Sequence, residues 1–129
     1  MSTNKNLSKY RFEEAERCLQ SAKTLIEIQD YKSAANRSYY CIFHCMRSLL
    51  ALENTDFKRH TGVISYFREK YIKTNIFDKK LSVIIENLFE LRTESDYGDY
   101  YIVSKQEITE QIANAEYFFE QVKAYLSQR

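Results

Sequence analysis

Ala34-Ala35-Asn36-Arg37-Ser38-Tyr39-Tyr40-Cys41-Ile42-Phe43-His44-Cys45-Met46-Arg47-Ser48-Leu49-Leu50 carries two helical periodicities at once. Ala35, Tyr39, Ile42, Met46 and Leu49 recur at steps of three and four, so they share one apolar stripe of a helix. Arg37, Tyr40, His44 and Arg47 recur at the same steps and form a second stripe of hydrogen-bonding groups. A solvated helix face mixes Lys, Glu and Gln; this one sets two guanidiniums, a phenol and an imidazole in a row. Those groups grip and polarise a phosphate. The competing reading is that Arg37 and His44 are satisfied polar residues at a helix–helix or dimer contact.

Outward from this helix the same pattern repeats. Upstream, Ala15, Cys18, Leu19, Ala22, Leu25 and Ile26 make the apolar stripe of a helix expected over about Leu7 to Gln29. Asp30 caps the second helix, which continues to about Leu52, and the short joint makes the pair an antiparallel hairpin. After the break at Glu53-Asn54-Thr55-Asp56 comes the basic triplet Lys58-Arg59-His60, beside a third, shorter helix with Val63, Ile64, Phe67 and Tyr71. A basic triplet at a helix start suits phosphate, because the first-turn N–H groups add positive potential. The bland reading of that triplet is a solvated loop end. Thr74-Asn75 ends the third helix, and Asp78 caps a fourth with Leu81, Ile84, Ile85, Leu88 and Leu91 inward, running straight into Arg92. Asp96-Tyr97-Gly98-Asp99-Tyr100-Tyr101 reads as a bend. Ser104 and Glu107 form a capping box for the last helix, where Ile108, Ile112, Ala115, Phe119, Val122 and Leu126 make a narrow seam. The expected fold is all-α: an up-and-down bundle of four long helices plus one shorter helix.

Composition agrees. The 129 residues suit a single domain with its core over about 7–128, and 44% hydrophobic against 29% charged residues exclude a disordered chain. No proline and only Gly62 and Gly98 suit long helices with few joints. A net charge of +1 excludes a bulk-charge nucleic-acid binder, so any basic surface is local. Three cysteines (Cys18, Cys41 and Cys45), a polar N-terminus and the lack of a membrane-length apolar run make a cytoplasmic protein the expectation. Cys41, His44 and Cys45 supply half a zinc site and no second Cys/His pair follows, so buried thiols are expected and neither metal nor cofactor is called for. Eleven tyrosines, Tyr39, Tyr40, Tyr97, Tyr100 and Tyr101 among them, suit a dimer interface or base stacking.

Three blocks in order, Asn36-Arg37-Ser38-Tyr39-Tyr40-Cys41-Ile42-Phe43-His44, Lys58-Arg59-His60-Thr61-Gly62-Val63-Ile64-Ser65-Tyr66-Phe67 and Leu91-Arg92-Thr93-Glu94-Ser95-Asp96-Tyr97, resemble the HEPN superfamily (higher eukaryotes and prokaryotes nucleotide-binding domain). The branch most resembled has an Asn-Arg-x-Tyr-Tyr-x-x-Phe-His helix and a downstream Arg-x-x-x-Asp-Tyr. Many members are metal-independent endoribonucleases, often the toxin partner of a minimal nucleotidyltransferase antitoxin, acting as homodimers. In such members His moves a proton near neutrality and Arg holds the phosphate, while RNA supplies its own 2′-hydroxyl nucleophile. Their Arg/His pair lies late in the domain. Here no His follows Arg92: both histidines, His44 and His60, precede it.

The resemblance therefore implies Arg37, His44 and Arg92 as catalytic candidates. It implies Arg37, Tyr40, His44, Arg47, Lys58, Arg59, His60, Arg92, Asp96 and Tyr97 as RNA- or nucleotide-binding candidates. Three functions stay open: a toxin–antitoxin or defence-pair protein that binds and cleaves RNA; an inactive dimer that binds nucleotide or regulates a partner nucleotidyltransferase, with the late tyrosines as acceptors; and a plain helical protein-interaction module.

Overall fold

The computed structural model describes residues 2–98 and 101–129, and in it α2 (Tyr31–Leu52) is the helix against which the other elements pack. Asp30 starts it, its carboxylate accepting the Ser33 N–H at 3.2 Å. Ala35, Tyr39, Ile42, Met46 and Leu49 are all fully buried. Ser38 and Ser48 are buried too, their hydroxyls donating to the Ala34 and Cys45 carbonyls at 2.8 and 2.6 Å. Between Ala34 and Ala51 only Asn36, Arg37, Tyr40, His44 and Arg47 keep partial exposure. A helix buried on its other sides thus shows solvent one strip, and that strip is the polar stripe.

α1 (Ser2–Glu27) lies antiparallel to α2: Arg11 donates to the Arg47 carbonyl at 3.3 Å, while Arg37 approaches Cys18 Sγ at 3.7 Å. It begins at Ser2 rather than Leu7, because the polar residues before Leu7 include no helix breaker. The joints need left-handed residues, and neither glycine supplies one. Gln29, Asn54 and Asn75 take φ of 64°, 52° and 64° instead. Behind Gln29 and Asn54 the next N–H reaches five residues back, Asp30 to Leu25 at 2.9 Å and Thr55 to Leu50 at 3.0 Å. That is the paired closure that ends a helix.

α3 (His60–Phe67) is shorter than expected. The α-helical pattern does not run to Thr74-Asn75; it widens into a π-turn over Arg68–Ile72, where the Lys73 N–H reaches Arg68 O at 2.8 Å. Phe67, Tyr71 and Ile72 all reach the core, and the Phe67 ring packs 5.6 Å from that of Phe118. In α4 (Lys80–Tyr97), Asp78 accepts the Lys80 N–H at 2.7 Å, and Leu81, Ile84, Ile85, Leu88 and Leu91 face inward. The expected bend at 96–101 starts late, since Asp96 and Tyr97 form the last turn of α4; its Asp99 and Tyr100 lie outside the described residues. α5 (Lys105–Leu126) begins at Ser104, which accepts the Glu107 N–H at 3.0 Å. The Glu107 carboxylate does not close the box; it takes the Tyr101 hydroxyl at 3.4 Å. The α5 seam is wider than expected, because Phe118 is fully buried beside Phe119.

The fold is an all-α bundle of four long helices plus the shorter α3, with no strand among the described residues. Cys18, Cys41 and Cys45 are buried free thiols. Among the described residues no helix is long and apolar enough to cross a membrane.

Candidate anion-binding site

Tyr40 is the meeting point. Arg37, one turn earlier on α2, holds its guanidinium carbon 5.3 Å from the Tyr40 ring centroid, and Arg92 arrives from α4 at 5.5 Å. Both distances are within cation–π range. Arg92 is there because it follows Leu91: one residue past the buried stripe, a side chain turns to the edge of α4 that faces α2. Its Nη2 donates to the Tyr40 hydroxyl at 3.3 Å, and its carbon also lies 5.4 Å over Tyr39. Nε sits 3.0 Å from Asp96 Oδ2, off the hydrogen-bond direction, so this contact is an ion pair rather than a hydrogen bond. Arg37 is oriented by Asn36, whose Oδ1 accepts from Nε and Nη2 at 3.0 and 2.6 Å. Among the described residues Arg37 has no carboxylate partner.

The two imidazoles flank Tyr40 in different surroundings. His60 opens α3, with Nδ1 3.0 Å from the Tyr39 hydroxyl and its ring 4.1 Å from that of Phe43. Burial, then the charges of Arg92 and Arg47, push its pKa below the ordinary histidine value. His44 lies 6.1 Å from Tyr40 by ring centroid, and its Nδ1 is buried without a hydrogen-bond partner among the described residues. Burial and then Arg47 lower its pKa as well, with Glu14 of α1 opposing them.

The remaining candidates divide. Arg47 pairs with Asp56 at 2.6 Å, and Arg11 joins the same carboxylate at 3.2 Å. Arg47, Lys58 and His60 line a cavity of about 390 Å³ with Phe43, Asp56 and Phe57. Arg37 and Asp96 line a second hollow of about 340 Å³ with Lys32, Ser33, Asn36 and Leu25. Tyr40 and Arg92 stand between the two along α2. Arg59 is exposed at the start of α3 with no capping bond, and Tyr97 is 72% exposed; no described contact joins either to Tyr40. The expectation of Tyr39 in a dimer interface or stacking surface fails, since its ring is fully buried; its bond to His60, Asn36 as the orienter of Arg37 and the Asp56 clamp were not read from sequence. A phenol on an apolar stripe was the available signal, because a buried O–H needs a partner.

Two guanidiniums and an imidazole around a phenol set planar, directional hydrogen-bond donors side by side, the donor type that suits an anion. Among the described residues no three His, Cys, Asp or Glu side chains come together as a metal-binding group. The chain is similar to a UPF0332 protein of Thermotoga maritima, 29% identical over 95% of this chain and 93% of that protein. It is also similar to two proteins of Methanocaldococcus jannaschii. "Putative toxin MJ0142" is 31% identical over 88% of this chain and 78% of its own length. "Putative toxin MJ0605" is 33% identical over 88% of this chain and 84% of its own length. Residues 8–125, which span the α2 stripe, the His60 helix start and Arg92, match the family profile described as HEPN domain. The five-helix bundle with Arg37, Tyr40 and Arg92 brought together across α2 and α4 is thus a HEPN domain, and the chain belongs to that family.

Proposed function

We propose that this HEPN protein is the toxin-side member of a toxin–antitoxin or defence-type pair in the cytoplasm, and that its α2/α4 face binds RNA or a nucleotide. The observation that carries the reading is the convergence of Arg37 and Arg92 on Tyr40 from two helices. Holding two guanidiniums beside one phenol costs like-charge repulsion, which an incoming phosphate relieves. The names of the two Methanocaldococcus relatives support the toxin side of the reading. The partner in it is a minimal nucleotidyltransferase, and the working form is a homodimer, for which light scattering is expected to give twice the mass of the 15.4 kDa chain.

RNA binding is tested by anisotropy with a labelled single strand. Arg37→Ala and Arg92→Ala each weaken binding about tenfold, the loss of one charge-assisted phosphate contact. Unchanged affinity in both variants sinks the reading. In the cleaving form of the proposal, RNA is cut in the presence of EDTA, with His44 and His60 the available imidazoles.

A second reading, binding without cleavage, is favoured by a specific observation: Asp96 already engages Arg92 at 3.0 Å, and the His that follows the Arg in the ribonuclease pattern is missing. The exposed Tyr97 beside it is then open to nucleotidyl transfer by a partner. RNA left intact by protein that still binds it selects this second reading.

A further inference from the structure

The loop of residues 53–59 is anchored at both ends, and it walls a cavity that meets the Tyr40 cluster only at His60. At one end the Glu53 carboxylate accepts the hydroxyls of Tyr66, at 2.7 Å, and Tyr71. Nearer the other, Asp56 is held by Arg47 and Arg11 and accepts the Phe57 N–H at 2.8 Å. Phe57 then lies so close to α3 that a Cβ on Gly62 would stand 2.9 Å from the Phe57 Cβ. This anchored loop carries Phe57 and Lys58 to the rim of the cavity of about 390 Å³, opposite Phe43 and Arg47. Arg47 and Lys58 line it beside the single carboxylate of Asp56, which Arg11 also pairs with from outside the wall.

His60 completes the wall with a defined donor. Tyr39 is fully buried, and Nδ1 of His60 is the one hydrogen-bond partner of its hydroxyl among the described residues, so a satisfied O–H donates to Nδ1 of a neutral His60. The imidazole proton then sits on Nε2, which is neither buried nor hydrogen-bonded among the described residues. We propose that this cavity is a phosphate-monoester subsite, taking the terminal phosphate of a nucleotide or of an RNA 5′ end. Arg47 and Lys58 neutralise the phosphate, and Nε2 of His60 donates to one of its oxygens. A terminal phosphate carries roughly one and a half to two negative charges at neutral pH and offers three free oxygens to Arg47, Lys58 and Nε2, whereas a backbone diester carries about one and offers fewer. Tyr39 is the positioning residue, since it sets which imidazole nitrogen holds the proton. The inference rests on the nucleotide-binding reading but assigns it a second pocket, joined to the first at His60.

The test compares one RNA strand with a 5′-phosphate and with a 5′-hydroxyl, and adds adenosine monophosphate as competitor. In wild type the 5′-phosphate tightens binding about tenfold, one charge-assisted contact's worth. Lys58→Ala, at an exposed position, and His60→Gln erase that gain, while Arg92→Ala weakens both strands alike and leaves the gain in place. Tyr39→Phe reduces the gain without removing it. Competition by adenosine monophosphate assigns the subsite to free nucleotide; a 5′-phosphate gain without competition assigns it to the RNA end. Equal affinity for the two strands together with no binding of adenosine monophosphate overturns the subsite and leaves RNA binding at Tyr40 standing. Adenosine monophosphate bound in wild type and lost in Lys58→Ala, with neither RNA bound, supports the subsite and overturns the RNA reading.

Discussion

Tyr39 does two jobs with one side chain. Its ring is part of the core of α2, fully buried and 6.0 Å from the Phe43 ring, while its hydroxyl reaches His60 at 3.0 Å. Tyr39→Phe keeps the ring and removes the hydrogen bond, so it leaves Nδ1 of His60 without its donor and lowers stability by about 1 kcal/mol. Urea titration measures it, and no change in midpoint would mean that water replaces the hydroxyl. Arg92 is the other residue whose geometry matters more than its charge. It meets Tyr40 by both hydrogen bond and ring contact and touches Asp96, which a planar fork achieves and a point ammonium does not. Arg92→Lys is therefore expected to bind RNA as poorly as Arg92→Ala, by the same anisotropy assay.

Among the elements, α3 and α5 show where packing and placement part company. Phe118 on α5 is fully buried against Phe67, so Phe118→Ala removes a filled volume and destabilises by about 3–5 kcal/mol. Val83, 58% exposed on the outer face of α4, serves as the contrast: Val83→Ser stays within about 0.5 kcal/mol. Gly62 in α3 matters through its neighbour rather than through its own backbone, which needs no positive φ. Gly62→Ala pushes against the Phe57 Cβ, a position that cannot swing away as a side-chain tip would. The expected result is a displaced loop 53–59 and a weakened His60 cavity with little loss of helix content. Circular dichroism beside nucleotide titration separates the two effects.

Across the whole molecule, the two histidines make stability fall on acidification. Both are held below the ordinary histidine value, chiefly by burial, so the unfolded chain takes up protons near pH 6.5 that the folded chain does not. The stability from keeping them neutral is complete above about pH 6.5 and declines as pH falls towards their lowered folded values. The midpoint of thermal unfolding should drop between pH 7.5 and pH 5.5, and the slope should shrink in His44→Gln even if that variant is less stable overall. A flat profile in the parent protein would show that neither imidazole resists protonation in the fold.

The helices, their order and most of the face each buries could be read from residue spacing, though not the π-turn after α3 or the burial of Phe118. In a chain with no proline and two glycines, periodicity runs uninterrupted and side-chain type at each step decides what water must be kept from. Asp30 and Ser104 were legible as caps for the same local reason, since a cap acts within three residues. Arg37 and Tyr40 were legible as candidates because their types stand out on a helix face, and Arg92 through the resemblance of its block to the HEPN pattern. What spacing could not supply was distance between helices: that Arg92 crosses to Tyr40, that His60 rather than His44 meets the Tyr39 hydroxyl, and that Asp56 pins Arg47 and Arg11. Those contacts depend on how α1, α3 and α4 settle around α2, a matter of interlocking side-chain volumes that no single helix encodes.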